Sequence, residues 1–348
     1  MARASTQRLV VRTLLTLPPP ILRLMSGGGV VYQGGRTLDP RIQFLAAQAR
    51  KSPPLETLGV ADARAANDAG VALVAGDPEP GVAWESLTID GPDGPIPARV
   101  YRPESQDPAE PLMVYAHMGG GVIGGLETCH VFCTILASCA RCPVLSVDYR
   151  LAPEHRFPAG LTDVLAAYRF GRDNAERFGG PRGKAAIGGD SMGGGFAAAV
   201  CQELRRLGEL QPELQLLIYP WVDVACESAS MTIYGESYPL TRTLLKWFAD
   251  HYMGPQDNPD DPRLSPLEAK DFSGLAPAVV VSAGFDPLVD QGEAYARKLK
   301  AAGGHVIYRC YDSLSHAFTA FTGAVPCADV ACREIAGLVR EGFEGRIA

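Results

Sequence analysis

Five short apolar runs, Leu112–Ala116, Val144–Val147, Ala185–Ile187, Leu214–Tyr219 and Val279–Ser282, take turns with helical stretches at Thr128–Ala140, Ala159–Phe178, Met192–Leu207 and Gln291–Ala302. Runs this short and continuous suit strands that are covered on both faces, since a half-exposed strand would alternate apolar with polar. Strands joined through helices pair in parallel. The predicted architecture is therefore α/β, with a mostly parallel central sheet and helices on both faces. Ahead of this unit, Val82–Ile89 and Ile96–Tyr101 alternate with a period of two around the turn Gly91-Pro-Asp-Gly94, as a hairpin does. A strand at His305–Tyr311 and a helix at Ala328–Glu341 close the chain.

Two segments stand outside the alternation. Residues 1–75 carry helical patterns at Arg41–Arg50 and Val60–Val74, split by Pro53-Pro54, and residues 223–262 hold a helix at Thr241–Tyr252 between turn-rich flanks. The expected organisation is an α/β domain of residues 76–222 and 263–348. Residues 1–75 supply an N-terminal arm and cap helices, and residues 223–262 an inserted cap segment.

With 348 residues and 47% hydrophobic content the chain can bury a large core, which excludes a disordered protein. No apolar run approaches the roughly 18 residues of a membrane-spanning helix, so no integral membrane segment is expected. A net charge of −7 without a Lys/Arg-dense stretch argues against a nucleic-acid partner. Residues 1–36 nevertheless contain Arg3, Arg8, Arg12, Arg23 and Arg36 and no acid. Arg12 interrupts the apolar stretch Leu9–Leu17, and no cleavage site for a secretory signal is evident. The expectation is an arm docked on its own protein or on a twin subunit in a homodimer, with an interfacial helix as the alternative, in a cytoplasmic protein. Nine cysteines form no disulfide framework. Cys139-Ala-Arg-Cys142 has metal-site spacing, but Cys129 and Cys133 sit on an apolar helix and Cys142 opens a strand. They read as buried small hydrophobes, so no metal is expected.

The chemistry concentrates at Gly189-Asp-Ser-Met-Gly193. Gly-x-Ser-x-Gly is weak evidence alone, but here it leaves a strand and enters a small-residue helix, the strand–turn–helix setting of a nucleophile elbow. Serine needs a base, and the base an orienting acid, in the chain order Ser, acid, His. Three histidines follow Ser191. His251 lies on the inserted helix and His305 begins a strand, whereas His316 follows the last strand in a loop. Asp286 follows the strand Val279–Ser282, and Asp290 has the position of a helix N-cap. The candidate triad is thus Ser191, His316 and Asp286. A glycine run after the strand Leu112–Ala116, from His117 to Gly125, offers backbone N–H groups to an oxyanion. It lacks the Gly-Lys-Ser/Thr ending of a phosphate loop.

Taken together, His117-Met-Gly-Gly-Gly-Val-Ile-Gly124, Asp148-Tyr-Arg-Leu-Ala-Pro-Glu-His-Arg-Phe-Pro-Ala159, the Gly189 motif and Asp286-Pro-Leu-Val-Asp290 resemble the hormone-sensitive-lipase group of α/β-hydrolases, the bacterial family IV esterases. The likeness spans about Leu38 to the C-terminus. It implies an α/β-hydrolase fold with a helical cap and hydrolysis of short- to medium-chain carboxylic esters without cofactor. It also implies the same triad, with oxyanion donors at the N–H groups of Gly119, Gly120 and Met192. His117, His155, Arg150 and Glu154 belong to the signature stretches and read as structural.

Two departures bear on the site. The family usually reads His-Gly-Gly-Gly-aromatic, so Met118 replaces a glycine and Gly121 an aromatic residue. A positive φ at 118 would strain methionine or shift the loop. A missing aromatic at 121 is expected to open room for bulkier esters. Met118, Gly121, Val122 and Trp221 are the expected pocket residues. The same machinery would serve an amidase, carbamate hydrolase or lactonase. A non-catalytic receptor of this fold is disfavoured by the presence of His316.

Overall fold

The computed structural model describes residues 2–346. Its central sheet has eight strands: β1 (Val82–Gly91), β2 (Gly94–Pro103), β3 (Leu112–Ala116), β4 (Val144–Val147), β5 (Ala185–Asp190), β6 (Gln215–Ile218), β7 (Ala278–Phe285) and β8 (Val306–Ser315). Their spatial order is β1-β2-β4-β3-β5-β6-β7-β8. β2 runs antiparallel to both β1 and β4, and all other pairs are parallel.

Helices α1 (Ala2–Leu15), α2 (Pro19–Met25), α3 (Pro40–Ala49) and α4 (Val60–Val74) precede the sheet. Within it come α5 (Leu126–Ala140), α6 (Ala159–Asp173) and α7 (Met192–Arg206), then α8 (Ala229–Ile233) and α9 (Arg242–Tyr252) in the insertion, and finally α10 (Val289–Ala301) and α11 (Pro326–Phe343). Alternate residues of one strand serve two cores. Leu112, Val114 and Ala116 pack with α6, α7 and α10, whereas Met113 and Tyr115 pack with α5 and α11. That two-sided demand is why the strands read as unbroken apolar runs.

The arm is held by its arginines. On α1, Arg8 donates to the carbonyls of Ala75 and Gly76 at 2.9 and 2.7 Å, and Arg12 to that of Ala75 at 2.7 Å. Both also pair with the Asp77 carboxylate, at 3.0 and 3.2 Å. Arg36 pairs with Asp312 at 2.9 Å and donates to the Gly284 carbonyl at 3.2 Å. The basic arm therefore binds the protein's own surface, while Leu9 and Leu24 point outward. No helix among the described residues is long and apolar enough to cross a membrane.

Candidate active site

The sequence Gly-x-Ser-x-Gly forces a sharp turn between β5 and α7. Ser191 occupies it at φ 55° and ψ −118°, a conformation that costs a side-chain-bearing residue of order 1–3 kcal/mol. Its glycines are there for room. A Cβ on Gly193 would lie 2.0 Å from the Ala116 carbonyl oxygen, and one on Gly189 2.4 Å from the backbone of Gly193. The turn can close only without those side chains.

Strand ends bring the other two groups to the serine. His316 follows the last residue of β8, and Asp286 the last residue of β7. Nε2 of His316 lies 2.9 Å from the Ser191 Oγ, and Nδ1 lies 2.7 Å from an Asp286 carboxylate oxygen. The other Asp286 oxygen accepts the Leu288 N–H at 2.9 Å, which fixes the carboxylate at the start of α10. Ser191, His316 and Asp286 are 6%, 5% and 0% exposed, so the hydrogen-bonded chain is nearly shielded from water. Asp290 departs from its expected place. It is the second residue of α10, Leu288 stands at the N-cap, and the Asp290 carboxylate accepts the Ser230 N–H of α8 at 2.8 Å.

The glycine loop takes a conformation that explains its composition. Gly119, Gly120 and Gly121 have φ of 125°, 61° and 73°, whereas Met118 lies outside the positive-φ region. Methionine is therefore unstrained at 118, whereas the next three positions, and Gly124 at φ 90°, require glycine. Among the described residues, the N–H groups of Gly119, Gly120 and Met192 donate to no protein acceptor. Met192 also opens α7, where the helix dipole favours negative charge.

The extra room expected at Gly121 is filled. A Cβ there would meet the Tyr252 ring at 2.8 Å, and one on Gly120 the Phe248 ring at 2.2 Å. Both rings come from α9 in the insertion, so a residue distant in sequence occupies the space that the missing aromatic would take. Met118 packs into the core that holds Tyr219 and Phe318, whereas Val122 and Trp221 pack into the opposite one. Trp221 stays close to the nucleophile through its backbone N–H, which donates to the Ser191 carbonyl at 3.0 Å, while its indole N–H donates to the Asp223 carbonyl.

His117 is fully buried, stacked on Tyr149 with ring centroids 4.2 Å apart. Burial pushes its pKa down to about 4, so the ring is neutral and its Nδ1–H donates to the Met118 carbonyl at 2.7 Å. Arg150 clamps the buried Asp163 with two donors, each at 2.8 Å. His117 and Arg150 therefore hold structure beneath the site.

Sequence reasoning missed a buried polar cluster behind His316. One Asp190 carboxylate oxygen accepts from the Thr319 hydroxyl at 2.9 Å and from Tyr219 Oη at 3.0 Å, and the Tyr219 ring centroid lies 4.6 Å from that of His316. Burial pushes the Asp190 carboxyl up, opposed by the Thr319 and Tyr219 hydroxyls. The variable position of the Gly-x-Ser motif was the one available signal. Nothing local marked Tyr219 or Thr319. Among the described residues no group of three His, Cys, Asp or Glu side chains could hold a metal ion.

Residues 113–320 match the family described by its α/β hydrolase fold. The carboxylic ester hydrolase LipN of Mycobacterium tuberculosis is 42% identical over 317 residues, covering 88% of this chain and 84% of LipN. The ethyl acetate hydrolase of Pseudomonas putida is 37% identical, covering 81% of this chain and 90% of its own length. Among solved structures, the ester hydrolase EH1AB1 from the metagenome of Lake Arreo superposes with a TM-score of 0.85 at 41% identity, covering 88% of this chain and 99% of that one. With the fold, the motifs and these relatives in agreement, the chain belongs to the α/β-hydrolase fold family and, within it, to the hormone-sensitive-lipase group of esterases.

Proposed function

We propose that this protein is a serine carboxylesterase acting on short- to medium-chain esters. The observation that carries the reading is the hydrogen-bonded chain from Ser191 Oγ through the His316 ring to Asp286. Ser191 Oγ attacks the ester carbonyl carbon while Nε2 of His316 takes its proton. Asp286 holds Nδ1–H and stabilises the imidazolium. The carbonyl oxygen becomes an oxyanion facing the N–H groups of Gly119, Gly120 and Met192. Collapse expels the alcohol, which leaves with the proton from His316, and an acyl group remains on Ser191. Water, deprotonated by His316, then releases the acid and restores the hydroxyl.

Residues 1–75 and 223–262 act as a cap over this chemistry, a reading supported by the α9 rings that rest on Gly120 and Gly121 and by the burial of all three reacting side chains. Of the four expected pocket residues, Gly121 and Trp221 border the substrate beside Ser191, whereas Met118 and Val122, packed into opposite cores, support the pocket from behind. All nine cysteines are unpaired, which suits a reducing compartment and supports a cytoplasmic location.

The test is a panel of p-nitrophenyl esters from acetate to laurate, with the native protein and Ser191→Ala. The variant should lose about 10⁴–10⁶ in turnover. Undiminished turnover in Ser191→Ala would overturn the reading.

A further inference from the structure

Three consecutive glycines at positive φ give the loop Gly119–Gly121 a backbone that most sequences cannot adopt, and with it unusual conformational freedom. A loop that must hold N–H groups within a few tenths of an ångström needs restraint from outside itself. That restraint comes from α4. Nε of Arg64 donates to the Val122 carbonyl at 2.9 Å, and one Nη donates to the Ala152 carbonyl at 2.9 Å. The same guanidinium grips both Glu154 oxygens, at 2.7 and 2.8 Å. The Ala152 N–H in turn donates to the Gly121 carbonyl at 2.8 Å. One side chain thus joins the N-terminal segment, the glycine loop and the Leu151–Glu154 stretch.

We propose that Arg64 is a positioning residue, holding the Gly119–Val122 backbone so that its N–H groups face the oxyanion. This rests on the esterase reading. It makes α4 part of the catalytic apparatus as well as cover. The rigid guanidinium spreads its donors over three nitrogens and so reaches two carbonyls and both Glu154 oxygens at once, whereas lysine has three N–H donors on a single nitrogen and cannot span all four. Glu154 has the lesser part. Its side chain is more than half exposed, and its pairing with Arg64 stabilises little on its own.

The experiment compares Arg64→Ala, Arg64→Lys and Glu154→Gln with the native protein by steady-state kinetics on p-nitrophenyl butyrate, alongside melting temperatures. Arg64→Ala should lower kcat by about 10–100-fold with KM changed less than about 3-fold, because the loop contributes to the transition state more than to substrate binding. Arg64→Lys should keep the charge pairing and most of the stability, yet remain at least about 10-fold low in kcat. Glu154→Gln should stay within about 3-fold of native. Arg64→Ala and Glu154→Gln both lose the ion pair that Arg64→Lys keeps, so a role in stability alone would make activity follow melting temperature across the set. That outcome, or native kcat in Arg64→Lys, overturns the proposal; if Arg64→Ala fails to fold, the other two variants still decide it. Labelling of the native protein by an organophosphonate ester separates the two levels. A native protein that neither labels nor turns over fails the esterase reading, whereas an active native protein with active Arg64 variants fails only this inference.

Discussion

Asp190 and Thr319 are hydrogen-bonded at 2.9 Å, which joins the residue before Ser191 to the third residue after His316. The two loops that must meet for Ser191 and His316 to touch are thereby bolted together from below. Both side chains are buried, and Tyr219 completes the joint.

Thr319→Val keeps the shape and removes the hydroxyl. It should lower stability by about 1–2 kcal/mol, because the buried Asp190 carboxylate loses a donor. It should also lower kcat several-fold through a looser Ser191–His316 pair, with KM little changed. Denaturant titration and kinetics on one ester check both parts, and a native kcat would show that the joint serves stability alone.

Gly121→Phe puts back the aromatic residue common in the family. From sequence, it should selectively reduce turnover of bulky esters. The structure changes that expectation, since a Cβ at 121 meets the Tyr252 ring at 2.8 Å and φ is 73°. Both small and large esters should therefore lose turnover together, by about 10-fold or more, as the loop is displaced. Rates on p-nitrophenyl acetate and a branched-chain ester distinguish the outcomes. A loss confined to the branched ester would return Gly121 to a simple size filter.

His117 should make stability depend on pH. Burial takes its pKa from 6.5 down to about 4. Between those values the unfolded chain binds a proton that the folded one refuses. The contribution of neutral His117 is therefore fully present above about pH 6.5 and falls as the medium is acidified, by up to about 3 kcal/mol near pH 4. Urea titrations at pH 7 and pH 4.5 on the native protein and His117→Asn should show a smaller pH effect in the variant. Equal pH effects would place the source elsewhere.

Much of this protein is legible without coordinates. The runs Leu112–Ala116 and Val144–Val147 coincide with β3 and β4, and Val60–Val74 with α4, because burial on two faces and a 3.6-residue period leave plain signatures. Element ends were less legible. β5 continues through the glycines to Asp190 and β7 to Phe285, as sheet hydrogen bonds extend strands past their apolar centres. Arg64, Phe248 and Tyr252 carried no signal at all. Their importance lies in what they touch.

By itself the sequence determined the α/β alternation, the elbow around Ser191, the family, and the order of Ser191, Asp286 and His316 along the chain. Those follow from local rules: periodicity, the need for glycine at a strained turn, and a motif that reads the same wherever it stands. Tertiary structure decided which distant groups share a few ångströms. It brought His316 to Ser191 across 125 positions, set Tyr252 in the space left by Gly121, and carried the Arg64 guanidinium from α4 to the glycine loop. Such distances depend on how helices and strands pack, and no neighbour in the sequence reports them.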